Sequence, residues 1–252
     1  MKKIVSPLVL ALSLATAGSA FAQAAPAAPE STLSFNAGAV NEYRYRGISQ
    51  SRLNPAIQGG ADYAHASGAY IGVWGSSIKW IADAGGKANT EVDIYGGYKF
   101  TLGDVGYDVG FLRYDYSGNA MAVSPNTNEL YAAATLGAVT LKYSRSSGNL
   151  FGFAASKGST YLDMTANFDL GEGYTLAPHL GYQSVKGAGN STFSYTDYAL
   201  TLAKDLGNGL SATAAVIGTD AKTDAYYYAA SPTAAHKQLG KAAVVIGLKY
   251  TF

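Results

Sequence analysis

The last twelve residues, 241–252, read KAAVVIGLKYTF and alternate between two kinds of side chain. An apolar residue stands at every second position from Ala242 to Phe252, while Lys241 and Lys249 fall on the other parity. Because successive side chains of a β-strand point to opposite faces, this segment predicts a strand with one apolar and one charged face.

The same alternation recurs along the rest of the chain, in short runs separated by Gly, Asn, Asp or Pro. These features predict twelve strands. Their expected ranges are 33–46, 55–65, 68–78, 89–100, 105–117, 127–136, 138–146, 159–169, 173–185, 192–204, 210–219 and 240–252. The composition, with 30 Gly, 20 Tyr and 14% charged residues, also favours β structure.

The connections between these runs alternate between short and long. The tight ones fall at 65–67, 101–104, 137, 170–172 and 205–209, and the longer ones at 47–54, 79–88, 118–126, 147–158, 186–191 and 220–239. Tight periplasmic turns and longer extracellular loops are typical of outer-membrane barrels. The sequence therefore predicts an all-β fold over residues 32–252, a transmembrane antiparallel up-and-down β-barrel of twelve strands with both termini on the periplasmic side.

Alternation alone also fits a soluble β protein whose apolar face points inward. Aromatic residues near predicted strand ends favour the membrane, where such residues form interfacial girdles. They are Tyr43, Tyr45, Phe100, Tyr174 and Phe252. Two positions break the pattern, since Val73 and Trp74 are both large and apolar on opposite faces and Arg113 falls on the apolar face. A bulge or a misplaced strand boundary is the expected cause.

The N-terminal segment carries an export signal. Residues 1–3 are basic at two positions, 4–14 are mostly apolar, and Ala-Phe-Ala at 20–22 predicts cleavage of a signal peptide spanning 1–22. Residues 23–31 form an Ala/Pro-rich linker. We therefore expect a location in the outer membrane of a Gram-negative bacterium. The net charge of only +1 argues against nucleic acid as a partner, and the absence of cysteine excludes disulfides and thiolate sites.

A segment near the start of the predicted barrel contains three short sequence motifs. Residues 43–76 contain RYRGISQS, then PAIQGGADY, then GAYIGVW. This combination resembles the TorF-type family of outer-membrane porins, formerly described as conserved hypothetical proteins. The resemblance implies an outer-membrane barrel and passive transport, without a catalytic motif or a defined substrate. The final Phe252 is similar to the C-terminal aromatic residue by which the barrel-assembly machinery recognises its substrates.

The polar face supplies the candidate functional residues. The predicted pore-lining residues are Glu42, Arg44, Arg46, Asp62, Glu91, Asp93, Lys99, Asp108, Glu129, Lys142, Asp163, Asp197, Lys241 and Lys249. Parity predicts that Tyr43 and Tyr45 face lipid while Arg44 and Arg46 point into the lumen and set selectivity. A charged lining predicts a channel, whereas a barrel filled by its own salt bridges would be closed. The long loop 220–239 is expected to restrict the mouth.

The three histidines, His65, His179 and His236, lie far apart in the sequence. An outer-membrane hydrolase could use His236 with Asp220 or Asp224, but no motif positions a nucleophile beside them. We therefore predict no catalytic residues, no cofactor and no metal site.

The sequence thus predicts a porin-like channel for passive diffusion of small hydrophilic solutes, embedded in outer-membrane lipid. The alternatives are a non-conducting structural or adhesive barrel that acts through its extracellular loops and, less well supported, an outer-membrane hydrolase.

Overall fold

The computed structural model describes residues 30–228 and 237–252. Within them, twelve strands form one antiparallel sheet. The strands are β1 (Ser31–Val40), β2 (Ala56–His65), β3 (Ala69–Ser77), β4 (Thr90–Leu102), β5 (Val105–Asp115), β6 (Thr127–Leu136), β7 (Val139–Ser146), β8 (Thr160–Ala166 and Phe168–Gly171), β9 (Tyr174–Ser184), β10 (Tyr195–Gly207), β11 (Leu210–Thr219) and β12 (Ala243–Thr251). The prediction of twelve strands is confirmed.

The sheet closes on itself because β1 pairs with both β2 and β12. Ala37 lies opposite Gly59 of β2 on one side and Tyr250 of β12 on the other. Backbone hydrogen bonds of 2.8 and 2.9 Å between Phe35 and Phe252 complete this seam. Closure leaves no strand edge unpaired, which is what a sheet exposed to lipid requires.

Short and long connections lie at opposite ends of the barrel, as predicted. The short turns are 66–68, 103–104, 137–138, 172–173 and 208–209. The long connections are L1 (41–55), L2 (78–89), L3 (116–126), L4 (147–159), L5 (185–194) and L6 (220–242). L2 contains the helix α1 (Trp80–Asp83), and 3-10 turns occupy Asn190–Phe193 in L5 and Thr223–Ala225 in L6. Two-residue ladders join Arg44–Tyr45 to Ile48–Ser49 in L1 and Tyr227–Tyr228 to Lys237–Gln238 in L6.

The apolar face of every strand points outward. Val244, Ile246 and Leu248 are 57, 56 and 55% exposed, whereas Val245 is 9% exposed. Each strand exposes at least one large apolar side chain: Leu33, Ile57, Ile71, Ile94, Val109, Leu130, Leu141, Leu162, Leu180, Leu200, Val216 and Ile246. A water-soluble protein does not carry a continuous apolar belt of this kind, whereas a bilayer requires one. The soluble alternative is therefore excluded.

An aromatic rim surrounds the barrel at its short-turn end. Phe35 stacks on Phe252 with ring centroids 5.8 Å apart, and Phe100 stacks on Tyr107 at 5.3 Å. Tyr174 at the start of β9 is also exposed. These rings lie where an interfacial girdle is expected.

Of the two explanations expected for the irregular positions, the bulge is wrong. β3 and β5 pair with both neighbours without a register shift. Trp74 faces the lumen, and Val73 faces outward at 42% exposure. Arg113 does lie on the outer face, but near the loop end of β5, where its guanidinium is 2.7 Å from Asp115. The strand therefore keeps its alternation, and the charge of Arg113 is neutralised by Asp115 on the same face. Among the described residues, no helix is long and apolar enough to cross a bilayer.

Candidate functional site: a hairpin in the barrel lumen

L1 leaves the barrel wall at Asn41. Its backbone N–H donates to Ile246 O at 3.0 Å, and its side-chain oxygen accepts the Ile246 N–H at 2.8 Å. The side-chain amide also donates to Val244 O at 3.2 Å. The Asn41 side chain thus replaces the backbone of the next strand residue, which allows the chain to turn away from β12.

The chain then forms a hairpin, here called the lumen hairpin (residues 44–49). Arg44 pairs with Ser49 and Tyr45 with Ile48. The two turn residues, Arg46 and Gly47, have φ of +47° and +77°. Positive φ at both central positions is what a tight type I′ turn requires.

The predicted orientation of Tyr43 and Tyr45 is wrong. Tyr43 is only 3% exposed and Tyr45 is partly buried, since both belong to L1 rather than to β1. The first strand ends at Val40, six residues before its predicted end at 46. Both tyrosines point into the protein and contact lumen residues, so neither belongs to the lipid-facing girdle.

The base of the hairpin is held against β3, β4 and the start of L3. The Tyr43 hydroxyl donates to Glu91 Oε1 at 2.7 Å, and the Tyr116 hydroxyl donates to Glu91 Oε2 at 2.7 Å. Tyr43 also packs edge-on against Trp74, with ring centroids 5.4 Å apart. These contacts link L1 to β3, β4 and the start of L3.

An ion pair outside the strands joins L1 to the helix of L2. Arg52 Nε lies 2.9 Å from Asp83 Oδ2, and the Asp83 side chain is 2% exposed. Burial raises the pKa of the Asp83 carboxyl, although the Arg52 guanidinium opposes that shift. The outer part of L1 is therefore held against α1.

The tip of the hairpin reaches the opposite wall. Arg46 donates to both carboxylate oxygens of Glu129 on β6, at 3.0 and 2.7 Å, and to Gln183 Oε1 on β9 at 2.6 Å. Its guanidinium also lies 4.1 Å from the centroid of the Tyr161 ring. A bidentate Arg–carboxylate pair of this kind fixes orientation as well as charge. The hairpin consequently crosses the lumen from β1 to the far side.

Gly47 is required by space as well as by conformation. A Cβ at this position would lie 2.8 Å from Asp197 Cβ and would overlap the methyl group of Thr219. The tip therefore fits against β10 and β11 only without a side chain.

Arg44 is paired within L1 itself. Its Nε lies 2.8 Å from Glu42 Oε1, and its Nη1 donates to Gly47 O at 2.9 Å. Both arginines of the segment are thus engaged by buried carboxylates, and Arg44 stabilises the turn that positions Arg46.

Below the hairpin, towards the short turns, the lumen contains a cavity of about 280 Å³, here called the inner chamber. One arc of its wall is rich in charge and tyrosine. The Tyr70 hydroxyl donates to Asp108 at 2.6 Å, and Lys142 Nζ lies 3.8 Å from the Tyr131 ring centroid. The opposite arc, on β9 to β12, presents mainly small side chains such as Ala199 and Ala215. The chamber can therefore hold water and a small polar solute against a partly apolar wall.

Seven of the predicted pore-lining residues contact this chamber: Glu42, Arg44, Arg46, Asp108, Lys142, Asp163 and Asp197. Glu91, Asp93 and Glu129 are 1, 0 and 2% exposed and form an acidic wall behind the hairpin. Neither oxygen of Asp93 has a hydrogen-bond partner among the described residues. Asp62, Lys99 and Lys249 hold inward strand positions, whereas Lys241 is exposed in L6, before β12 begins.

The two histidines among the described residues, His65 and His179, lie in different parts of the barrel. His65 Nδ1 contacts Ser67 Oγ at 2.9 Å in a short turn. His179 lies in the inner chamber, 3.4 Å from Asp163 and 2.8 Å from Asp197. His236 falls outside the described residues. Within residues 30–228 and 237–252, no group of three or more His, Asp or Glu side chains is arranged to hold a metal ion.

Sequence reasoning missed the hairpin because strand parity continues through it. Two signals were available. Asn41 is a polar residue on the apolar parity, and Gly47 follows an alternating run in the way that a tight turn does.

The closed twelve-stranded barrel with an apolar belt and a polar lumen has the architecture of outer-membrane porins. Residues 23–252 match the family described as "Bacterial protein of unknown function (Gcw_chp)", and the chain belongs to that family. A search of curated proteins finds no match.

Three solved structures support the fold. The KdgM porin superimposes with a TM-score of 0.54 at 10% identity, covering 88% of this chain and 99% of its own. The NanC porin gives 0.53 at 11% identity, with coverage of 87% and 99%. The COG4313 outer-membrane channel from Pseudomonas putida F1 gives 0.50 at 13% identity, with coverage of 92% and 99%. At these identities the likeness concerns the fold alone. The similar proteins are porins and channels rather than enzymes.

Proposed function

We propose that this protein is a narrow porin-like channel of the Gram-negative outer membrane, through which small hydrophilic solutes diffuse passively. The observation that carries the proposal is the inner chamber with its charged arc, enclosed by a twelve-stranded wall and restricted by the lumen hairpin. The TorF-type sequence resemblance supports the same role. The KdgM porin has been determined in complex with disordered oligogalacturonate, so one barrel of similar fold takes a hydrophilic ligand.

The constriction in this proposal is the lumen hairpin, in addition to the 220–239 loop expected from the sequence. Arg46 contributes little free positive charge, because Glu129 engages its guanidinium through two hydrogen bonds. Arg44 is likewise paired with Glu42. We therefore propose a channel with weak ion preference whose restriction is mainly steric.

Export and assembly are part of the proposal. Residues 1–22 serve as the signal peptide, and Phe252 is the residue that the barrel-assembly machinery recognises. Phe252 is 64% exposed at the end of the last strand, where its ring is accessible.

One observation favours a second function, a non-conducting barrel that acts through its outer loops. The pair between Arg46 and Glu129 is almost fully buried, with side chains 5 and 3% exposed, and it spans the lumen. In this second function the hairpin stays inserted permanently and blocks the passage of solutes.

Recording in a planar lipid bilayer distinguishes the two functions. Protein whose folding is verified by heat-modifiable migration should give discrete conductance steps. Liposome swelling with sugars of increasing size then measures the diameter of the path. Folded protein that gives neither conductance nor swelling would refute the channel and support the loop-mediated role.

A further inference from the structure

A second cavity lies above the lumen hairpin, on the side of the long loops. It measures about 170 Å³ and is here called the outer pocket. L1, L2, L3, L4 and L6 all contribute to its wall, together with Gln183 of β9 and Tyr195 of β10. Tyr45 and Arg46 line both this pocket and the inner chamber, so the hairpin separates the two cavities.

The outer pocket differs from the inner chamber in its chemistry. Its aromatic residues are Tyr45, Trp80, Tyr116, Phe151, Phe153, Tyr195 and Tyr226, and Ile48, Leu150 and Leu239 add aliphatic surface. Arg46 is the one charged residue among the described residues that line it, and its Nη1 and Nη2 groups already donate to Glu129 and Gln183. The pocket therefore favours a ligand without charge.

Two polar atoms of the residues that line the pocket have no hydrogen-bond partner among the described residues, Arg46 Nε and the indole nitrogen of Trp80. The indole N–H of Trp80 is shielded from solvent and donates to no acceptor among the described residues. The indole ring is held edge-on against Tyr116, with centroids 5.2 Å apart, and the Tyr116 hydroxyl is itself committed to Glu91. A shielded donor left unpaired is unfavourable, so a ligand gains binding energy if its acceptor displaces the side chains that now cover this N–H.

The walls of the pocket are held in place before any ligand binds. In L4, Leu150 N–H donates to Ser156 Oγ at 2.7 Å and Phe151 N–H donates to Thr127 Oγ1 at 2.8 Å. On the other side, Ser49 N–H donates to Leu239 O at 3.0 Å, which ties L6 to the hairpin. A site ordered in advance loses less conformational entropy on binding.

We propose that the outer pocket binds a neutral solute with a single aromatic ring and one hydrogen-bond acceptor, such as a carbonyl oxygen. The ring would pack among the aromatic side chains, and the acceptor would take the Trp80 N–H. The volume agrees with this class, since an apolar cavity of about 150 Å³ accommodates benzene. As a substrate class for the channel, the inference rests on the proposed function, whereas binding is measurable without transport.

The test uses the full chain folded in detergent and benzamide as the probe, titrated by saturation-transfer difference NMR with protein-free micelles as the blank. Benzamide should bind saturably, and more tightly than benzoate, which is charged, or cyclohexanecarboxamide, which lacks the aromatic ring. Trp80→Phe should weaken binding about tenfold, because it removes the donor and keeps an aromatic ring. Trp74→Phe is the matched control and should bind as the native protein does, since Trp74 packs on Tyr43 and does not contact the pocket.

Absence of saturable benzamide binding in folded protein would refute the proposed ligand site. Equal benzamide affinity of Trp80→Phe and native protein would also refute it. Binding of benzoate or cyclohexanecarboxamide as tight as that of benzamide would overturn the ligand class. Benzamide binding in a protein without conductance would refute the channel and leave the pocket standing. Conductance without benzamide binding would support the channel and refute the ligand site in the outer pocket.

Discussion

Replacing Arg46 by methionine should open the barrel. The substitution keeps an unbranched side chain and removes the charge that joins the hairpin tip to Glu129 and Gln183. Glu129, whose side chain is 3% exposed, is then left as a buried carboxylate without its cation. Breaking a buried ion pair from one side costs about 3–5 kcal/mol. A hairpin that moves away admits water to Glu129 and recovers much of that free energy.

The remaining contacts of the hairpin pair no charges across the lumen: the Tyr45 hydroxyl bonds to that of Tyr114, and the Ser49 N–H donates to Leu239 O. The hydrogen bond from Tyr43 to Glu91 contributes about 1.5–3 kcal/mol, as expected for a charged acceptor, but it does not hold the tip. A loss of about 3 kcal/mol at the tip changes the ratio of displaced to inserted hairpin by about a hundredfold. We therefore expect Arg46→Met to give larger or more frequent conductance steps.

The ion preference of the variant provides an independent signature. Arg46→Met frees the negative charge of Glu129, so the reversal potential in a salt gradient should shift towards cations. The double variant Arg46→Met/Glu129→Gln removes both charges and should show the larger conductance without that shift. Arg46→Lys keeps the charge but loses the bidentate geometry, so its effect should be intermediate. Unchanged conductance in folded Arg46→Met protein would show that the hairpin does not restrict the path.

Three further predictions concern the hairpin, the lipid face and the terminus. Gly47→Ala should raise conductance, as Arg46→Met does, since a Cβ there would overlap Thr219. Gly137→Ala is the control, because Gly137 shares the positive φ but lies in a short turn with open space around it, and this substitution should leave conductance unchanged. Ile246→Lys should lower the free energy of unfolding from lipid vesicles by about 2–4 kcal/mol, because it places a charge on the lipid face, whereas Thr201→Lys on the lumen side should cost less. Phe252→Ala should reduce the fraction of heat-modifiable barrel assembled in cells, and Phe35→Ala separates this effect from loss of the stacked pair; equal yields for native protein and Phe252→Ala would contradict the assembly role.

Prediction from the sequence succeeded where alternate residues of a strand face two different environments, the lipid and the lumen. Eleven of the twelve strands end within about three residues of their predicted ends, because lipid selects apolar residues and the lumen accepts polar ones at alternate positions. Prediction failed at Tyr43 and Tyr45, since a hairpin alternates with the same period as the strand before it. The partners of Arg46 could not be predicted from the sequence either. Glu129 and Gln183 lie 83 and 137 residues away, and they meet the hairpin tip only because the barrel closes.

The position of Tyr45 and Arg46 between two cavities constrains how any solute could cross. Both side chains line the outer pocket and the inner chamber, so a solute that moves from one to the other must displace them or pass beside them. The Tyr45 hydroxyl is bonded to that of Tyr114, and Arg46 is bonded to Glu129, so displacement breaks contacts with β5 and β6 together. The pocket is mainly aromatic, and the chamber combines charged residues with a wall of small side chains, so a solute that crosses both meets polar and apolar contacts in turn. Restriction and selection therefore depend on the same few side chains, and a substitution at the hairpin tip should change both properties at once.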